Sequence, residues 1–150
     1  MALFFDTSAL AKLYHEEVGS AVVQRLVEIP DQVSFISGLG ALEMHSVLAG
    51  KVRTGEITAE AMDMARRRFR ADARKRRFRV MALRATHYES AEALLTKYGT
   101  SGLRTLDALQ MALALDLKRN HLVDSLVAAD RILVRVAPLE GLRVLNPETP

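Results

Sequence analysis

The sequence predicts an α/β fold in which a mostly parallel sheet is covered by helices on both faces. Three observations lead there. Short apolar runs of strand character recur along the chain, the stretches between them have helix-forming composition, and several runs end on a residue suited to capping the next helix. A length of 150 residues, with 49% hydrophobic and 26% charged side chains, suits one hydrophobic core, so residues 1–150 are expected to form a single domain.

Ala2 to Phe5 is the first apolar run, ended by Asp6-Thr7-Ser8, and Ala9 to Tyr14 continues as helix. A second such unit starts at Val33 to Ile36, turns at Ser37-Gly38 and continues from Leu39 to Leu48, with Gly50 and Gly55 as expected stops. Thr58 is placed to cap a long helix whose apolar stripe is Met62, Ala65, Phe69 and Ala73. Phe78 to Leu83 reads as a strand, followed by a helix to about Lys97 and a break at Gly99 to Gly102. Leu103 to Lys118 is a strongly apolar helix and Leu126 to Ala129 a strand ended by Asp130. Arg143 to Leu145 suits an edge strand, which tolerates the nearby Pro147.

With no cysteine the chain has neither disulfides nor thiolate metal sites, in keeping with a reducing compartment, and a cytoplasmic location is expected. The N-terminus meets Asp6 right after the apolar run Ala2 to Phe5 and does not read as a signal peptide, and no run approaches the length needed to cross a bilayer. The net charge of +3 is unevenly spread. Residues 66–79 carry nine Arg or Lys against one Asp, leaving 12 of the 21 basic and 17 of the 18 acidic residues for the rest of the chain.

Parallel α/β sheets bind ligands beyond the carboxyl ends of their strands, and the residues in that position here are acidic. Asp6 and Asp130 directly follow strands, Glu43 lies within two turns of the second strand, and Asp107 sits early in an apolar helix. Each also has a plainer reading. Asp6 and Asp130 suit helix caps, and Glu43 alone is unremarkable. Asp107 is harder to set aside, because its neighbours Leu103, Leu106, Ala108, Met111 and Ala114 make the helix look buried, and a buried carboxylate needs a partner. Two such groups about 6 Å apart repel by roughly 3 kcal/mol at an effective dielectric near 20. Either the acids protonate, or arginine pairs with them, or divalent metal neutralises them, and an all-oxygen set suits Mg²⁺ or Mn²⁺ best. Asp116, nine residues after Asp107, faces the other side of its helix, and Asp124 precedes its strand. Glu16, Glu17 and Glu28 read as solvated helix positions.

Four segments together resemble the PIN-domain nucleases, and more narrowly the VapC-like toxins of type II toxin-antitoxin pairs. They are FFDTSALAKLY at Phe4 to Tyr14, SGLGALEMHSVLAG around Glu43, LRTLDALQMALAL around Asp107, and LVAADRIL with the closing GLRVLNP. The resemblance implies a three-layer sandwich with a central parallel sheet and an acidic pocket for Mg²⁺, with Mn²⁺ as substitute. It implies cleavage of RNA by a metal-activated water, homodimerisation, and inhibition by a cognate antitoxin. Asp6, Glu43, Asp107 and Asp130 stand where the family's catalytic, metal-binding acids stand, and Thr7 or Ser8 is placed to orient Asp6. Two positions depart from the family pattern: Ala128 and Gly40 replace threonines that often support the acids.

Arg66, Arg70, Arg74 and Arg77 fall within about 80° on a helix and form a strip suited to a phosphate backbone, to an acidic partner or simply to water. His15, His45, His87 and His121 have no paired spacing for zinc, and neither a glycine-rich phosphate loop nor a GxSxG element is present. The competing functions are a PIN domain that binds RNA or protein without cutting, and a phosphatase or receiver domain. The phosphatase pattern wants a second acid two residues after the first, where this chain has Ser8.

Overall fold

The computed structural model describes residues 1–150. Five parallel strands form one sheet in the order β3-β2-β1-β4-β5, with β1 at Ala2–Phe5, β2 at Val33–Ser37, β3 at Arg79–Met81, β4 at Ser125–Val127 and β5 at Val144–Leu145. The helices are α1 (Thr7–Leu10, prolonged by a 3-10 turn at Ala11–Leu13), α2 (Ser20–Val27), α3 (Gly38–Arg53) and α4 (Ala59–Arg74). They continue with α5 (Ala85–Tyr98), α6 (Thr105–Arg119) and α7 (Arg131–Val136).

Alternation along the strands divides the core into two layers. Phe4, Phe35 and Leu126 point to one face and pack with α5, α6 and α7 through Ala91, Leu94, Met111, Leu113 and Leu133. Leu3, Phe5, Ile36 and Val127 point to the other and pack with α1, α2, α3 and α4 through Leu10, Val23, Met44, Leu48 and Phe69. A strand buried on both faces reads as a continuous apolar run, the pattern seen at Leu3 to Phe5. The result is the expected three-layer α/β sandwich.

Several local expectations are corrected. The first helix starts at Thr7 and loosens into a 3-10 turn after Leu10, and Ser20–Val27 adds a helix that the sequence reading did not resolve. Gly50 does not stop α3, which runs on to Arg53; Gly55, at φ +76°, follows the helix end in a conformation that favours glycine. Leu106 is exposed. No helix is long and apolar enough to cross a membrane.

The strand order reverses direction between β1 and β4, since β2 and β3 extend the sheet one way and β4 and β5 the other. At such a point the two crossovers leave on opposite faces and a crevice opens above the carboxyl ends. Phe5 pairs with Val127 at that edge, and the Asp6 amide donates to the Val127 carbonyl at 3.0 Å. The residues that leave β1 and β4 here are Asp6 and, three beyond Val127, Asp130.

Candidate active site

Asp6, Glu43, Asp107 and Asp130 all line one open pocket of about 340 Å³ above this crevice. Thr7, Ser8, Ala11, Lys12, Glu17, Val47, Lys51, Arg104, Ala129 and Glu148 complete its wall. The acids thus converge from β1, α3, α6 and the end of β4.

Asp6 is the N-cap of α1, and its Oδ2 accepts from the Ser8 amide at 3.1 Å and the Ser8 hydroxyl at 2.6 Å. The same hydroxyl accepts from the amides of Ala129 and Asp130 at 3.1 and 3.2 Å, so Ser8 ties the β1 corner to the β4 corner. Asp130 caps α7 through Oδ1, which accepts from the amides of Ile132 and Leu133. The capping readings of Asp6 and Asp130 are therefore correct, and they coexist with placement in the pocket. Thr7 turns away from Asp6: its hydroxyl donates to Glu43 Oε1 at 3.4 Å.

Gln110, 1% exposed, donates from Nε2 to Glu43 Oε1 and to Thr7 Oγ1, both at 3.3 Å, and accepts from the Ser37 hydroxyl at 2.7 Å. Gly40 makes room for this amide, because a Cβ there would stand 3.0 Å from Gln110 Nε2 and 3.3 Å from Thr7 Oγ1. The loss of a threonine hydroxyl at position 40 is thus met by a carboxamide from α6. Ala128 is fully buried, and near it the Ser8 hydroxyl supplies the hydrogen bonding to the β4 corner. Gln110 was missed in the sequence. It lies three residues after Asp107 on an apolar helix, so the argument that singled out the buried acid applied to it equally.

Electrostatically the acids oppose one another. Burial pushes the Asp6 carboxyl above its ordinary range, against the Ser8 hydrogen bonds and with help from Asp107. Burial also raises Glu43, with Asp6 and Asp107 adding repulsion. Asp107 is raised by burial and by Asp130, while Arg104 works the other way. Arg104 is the cation on hand: its Nε donates to Asp107 Oδ2 at 3.2 Å and its Nη2 reaches Asp130 Oδ2 at 3.4 Å. With its side chain 72% exposed, it screens rather than neutralises the cluster.

The donor set fits a hard divalent cation. Its side chains offer carboxylate and hydroxyl oxygens, and they gather more negative charge than the neighbouring lysines and arginine offset. The one trio whose ligand atoms lie within 4.8 Å of one another is elsewhere on the rim, at His15, Glu17 and Glu56. Lys51 already sits there, its Nζ at 2.8 Å from Glu17 and 3.2 Å from Glu56, so that spot is supplied with a cation.

Glu17 is a correction in its own right. It belongs to no helix, lines the pocket, and accepts from Lys12 at 3.2 Å as well as from Lys51. Burial pushes its carboxyl up, but the hydrogen bonds and charges of Lys51 and Lys12 hold it below the ordinary range. The arginine strip also changes. Arg77 lies past the end of α4 and pairs with Asp72 at 3.0 Å, and Arg66 donates to the His45 carbonyl, leaving Arg70 and Arg74 exposed. Asp116 and Asp124 are where expected. Asp116 holds buried His87 at 2.9 Å, and Asp124 accepts from the Ala2 amide at the amino end of the sheet.

Comparison with known proteins agrees with this architecture. No curated protein matches the sequence. Among solved structures, Mycobacterium tuberculosis VapC20, described as a Sarcin-Ricin loop cleaving toxin, superposes with a TM-score of 0.66 at 20% identity over 93% of this chain and 95% of that one. FitAcB from Neisseria gonorrhoeae gives 0.67 at 14% identity, covering 97% of both chains. VapBC2 from Rickettsia felis, bound to a DNA fragment from its promoter, gives 0.62 at 14% identity over 97% and 98%. These likenesses concern the fold. The sequence itself matches the PIN domain family over residues 3–139, and the chain belongs to that family.

Proposed function

We propose that the protein is a metal-dependent endoribonuclease, the toxin of a toxin-antitoxin pair, with Asp6, Glu43, Asp107 and Asp130 as its metal-holding acids. The observation that carries this reading is the convergence of the four carboxylates in one open pocket, three of them held above their ordinary range by burial and mutual repulsion. Mg²⁺, with Mn²⁺ as substitute, fits that charge. When bound it would neutralise the acids, acidify water and stabilise charge gathering on a phosphodiester.

The chain's own residues supply position. Ser8 fixes Asp6 relative to Asp130, and Gln110 with Thr7 fixes Glu43. No serine, cysteine or histidine in the pocket is paired for nucleophilic attack, since Ser8 donates to a carboxylate and its other contacts are amides. Of the arginine strip, Arg70 and Arg74 are the exposed members left free to meet phosphates of a bound strand.

Support for RNA as substrate comes from the similar structure described as a Sarcin-Ricin loop cleaving toxin, and support for an antitoxin from the one described as a toxin-antitoxin complex from Klebsiella pneumoniae. A homodimer working in the cytoplasm completes the proposal, with sedimentation of the purified chain as the check on its oligomeric state.

The deciding experiment is cleavage of a panel of structured and single-stranded RNAs with Mg²⁺ or Mn²⁺, with and without EDTA, for the natural chain, Asp6→Asn and Asp107→Asn. Metal-dependent cutting that falls at least about 100-fold in both variants is expected, the scale for removing a group that stabilises transition-state charge. Cutting that survives both substitutions overturns the assignment. One observation favours a binding module that does not cut, namely Arg104 bridging Asp107 and Asp130. Metal binding without any cleavage of the panel would move that reading to the front.

A further inference from the structure

One end of the pocket is lined by two lysines, Lys12 and Lys51, together with Glu17 and Glu148. Lys12 is buried in the 3-10 turn after α1, and its Nζ donates to Glu17 Oε1 at 3.2 Å, to the Val18 carbonyl at 2.8 Å and to Glu148 Oε1 at 2.8 Å. Lys51 donates to Glu17 Oε2 at 2.8 Å and Glu56 Oε2 at 3.2 Å. Glu17 therefore bridges the two ammonium groups, while Glu148 and Glu56 each hold one of them from outside.

We propose that this end is a phosphate-binding subsite, in which Lys12 and Lys51 grip a phosphate of the RNA strand beside the one being cut, and in which Glu148 and Glu56 are carboxylate stand-ins that the strand displaces. The proposal deepens the nuclease reading and rests on it.

Three observations carry it. Glu43, Val47 and Lys51 are spaced i, i+4, i+8 on α3, one line of residues running about 12 Å from the acids to the lysine. Thr7, Ser8, Ala11 and Lys12 make the same passage along the opposite wall. A polyanion entering at the carboxylates is repelled there and needs cations within the same groove, and these two lysines stand in it.

The partners also differ in how firmly they are held. Glu17 uses both oxygens on lysines and its side chain is 25% exposed, whereas those of Glu148 and Glu56 are 42% and 52% exposed and give their lysine one oxygen each. Glu56 divides itself further by accepting from the Thr54 hydroxyl. Exposed single contacts are weak, and a phosphate with several acceptor oxygens can replace both. Finally, displacement changes the sign of the patch, from two lysines against three carboxylates to two against one.

The test is binding of a fluorescent single-stranded RNA to the full chain across a salt series, in Ca²⁺ to hold the acid pocket without turnover, with KM and kcat measured separately in Mg²⁺. Glu148→Gln is expected to tighten binding roughly three- to tenfold, the scale of one charge-assisted contact, and to act on KM. Lys51→Met is expected to weaken it by a similar factor and to lower the salt slope by about 0.7. Glu89→Gln, on the exposed face of α5, is expected to change nothing. In a Lys12→Met background the gain from Glu148→Gln should vanish; should that variant not fold, the Glu148 and Lys51 arms decide alone.

A chain that cuts RNA but whose Glu148→Gln and Lys51→Met variants keep the natural affinity and salt slope overturns the subsite and leaves the nuclease intact. A natural chain that neither binds nor cuts removes both.

Discussion

Asp6 shows what the acid cluster means for a single residue. Its carboxyl is raised by burial, so the folded state holds its proton more tightly than the unfolded chain does. Between the ordinary carboxylate range near pH 4 and the raised folded value, folding takes up protons, and stability contributed here is lost as pH rises. Glu43 and Asp107 follow the same sign. Asp6→Asn, which keeps an oxygen to accept from Ser8, is therefore expected to stabilise the metal-free protein at neutral pH. The gap in melting temperature to the natural chain should close as pH falls toward 4; melting curves in EDTA across that range check it. A natural chain that is the more stable one at neutral pH in EDTA would contradict the repulsion.

At the same scale, Asp6, Asp130 and Asp107 are announced locally, by a strand that ends just before them or a helix too apolar to hold an unpaired acid, whereas Glu43 is unremarkable alone and stands out only beside the other three. Lys12 gave a similar signal inside Ala9-Leu10-Ala11-Lys12-Leu13, a buried run with a charge in it. Its partner Glu148, 136 residues away, gave none. Arg104 was hidden for another reason: an exposed arginine at a helix start is ordinary until the acid beside it is known to share a pocket.

Elements were read well where a period or a cap marks them. Thr58 does cap α4, its hydroxyl accepting from the Ala61 amide at 3.0 Å, and the stripe through Ala65 and Phe69 is buried. The edge strand before Pro147 is present as β5. What failed was the inference from rotation angle to free surface along the arginines, because α4 ends at Arg74 and Arg77 turns back onto Asp72.

Besides packing on α3, α4 is tied to the turn after α1 by a few contacts. Phe69 meets Tyr14 edge to face at 5.5 Å between ring centres, the Tyr14 hydroxyl donates to Asp72 at 2.7 Å, and Arg68 reaches the Leu13 carbonyl. Phe69→Ala is expected to cost about 3 to 5 kcal/mol, measurable by urea denaturation. Because Tyr14 follows the turn that carries Lys12, the same change should speed amide exchange in residues 11–14 more than in α6. Equal acceleration in both would mean that the helix is not an independent clamp.

For the whole molecule, the topology explains why a site so dispersed in sequence is so compact in space. The reversal between β1 and β4 brings residues 6 and 130 to one corner, and the sheet order alone accounts for that meeting. Alternating strands and helices let the sequence predict a parallel sheet, but the strand order depends on which edges pair, and apolar runs do not record that. Metal should couple to this architecture globally. At 100 times its dissociation constant a cation specific to the folded state adds about 2.7 kcal/mol. Mg²⁺ or Mn²⁺ is therefore expected to raise the melting temperature of the natural chain and to have a much smaller effect on Asp6→Asn. Equal shifts in the two would place the ion outside the pocket.

The strand order also sets a timetable for synthesis. β1 is the first strand to be made and the middle one of the sheet, yet its second edge stays open until residues 125–127 arrive. While the ribosome works through the helices in between, the nascent chain carries an unpaired strand edge and an acid corner without Asp130. Closing that edge spans more than 120 residues of chain, a contact that arises late and slowly. The pocket is thus assembled only after β4 has been made, and a product that stops short of β4 leaves the ribosome with its central strand half paired and its site unmade.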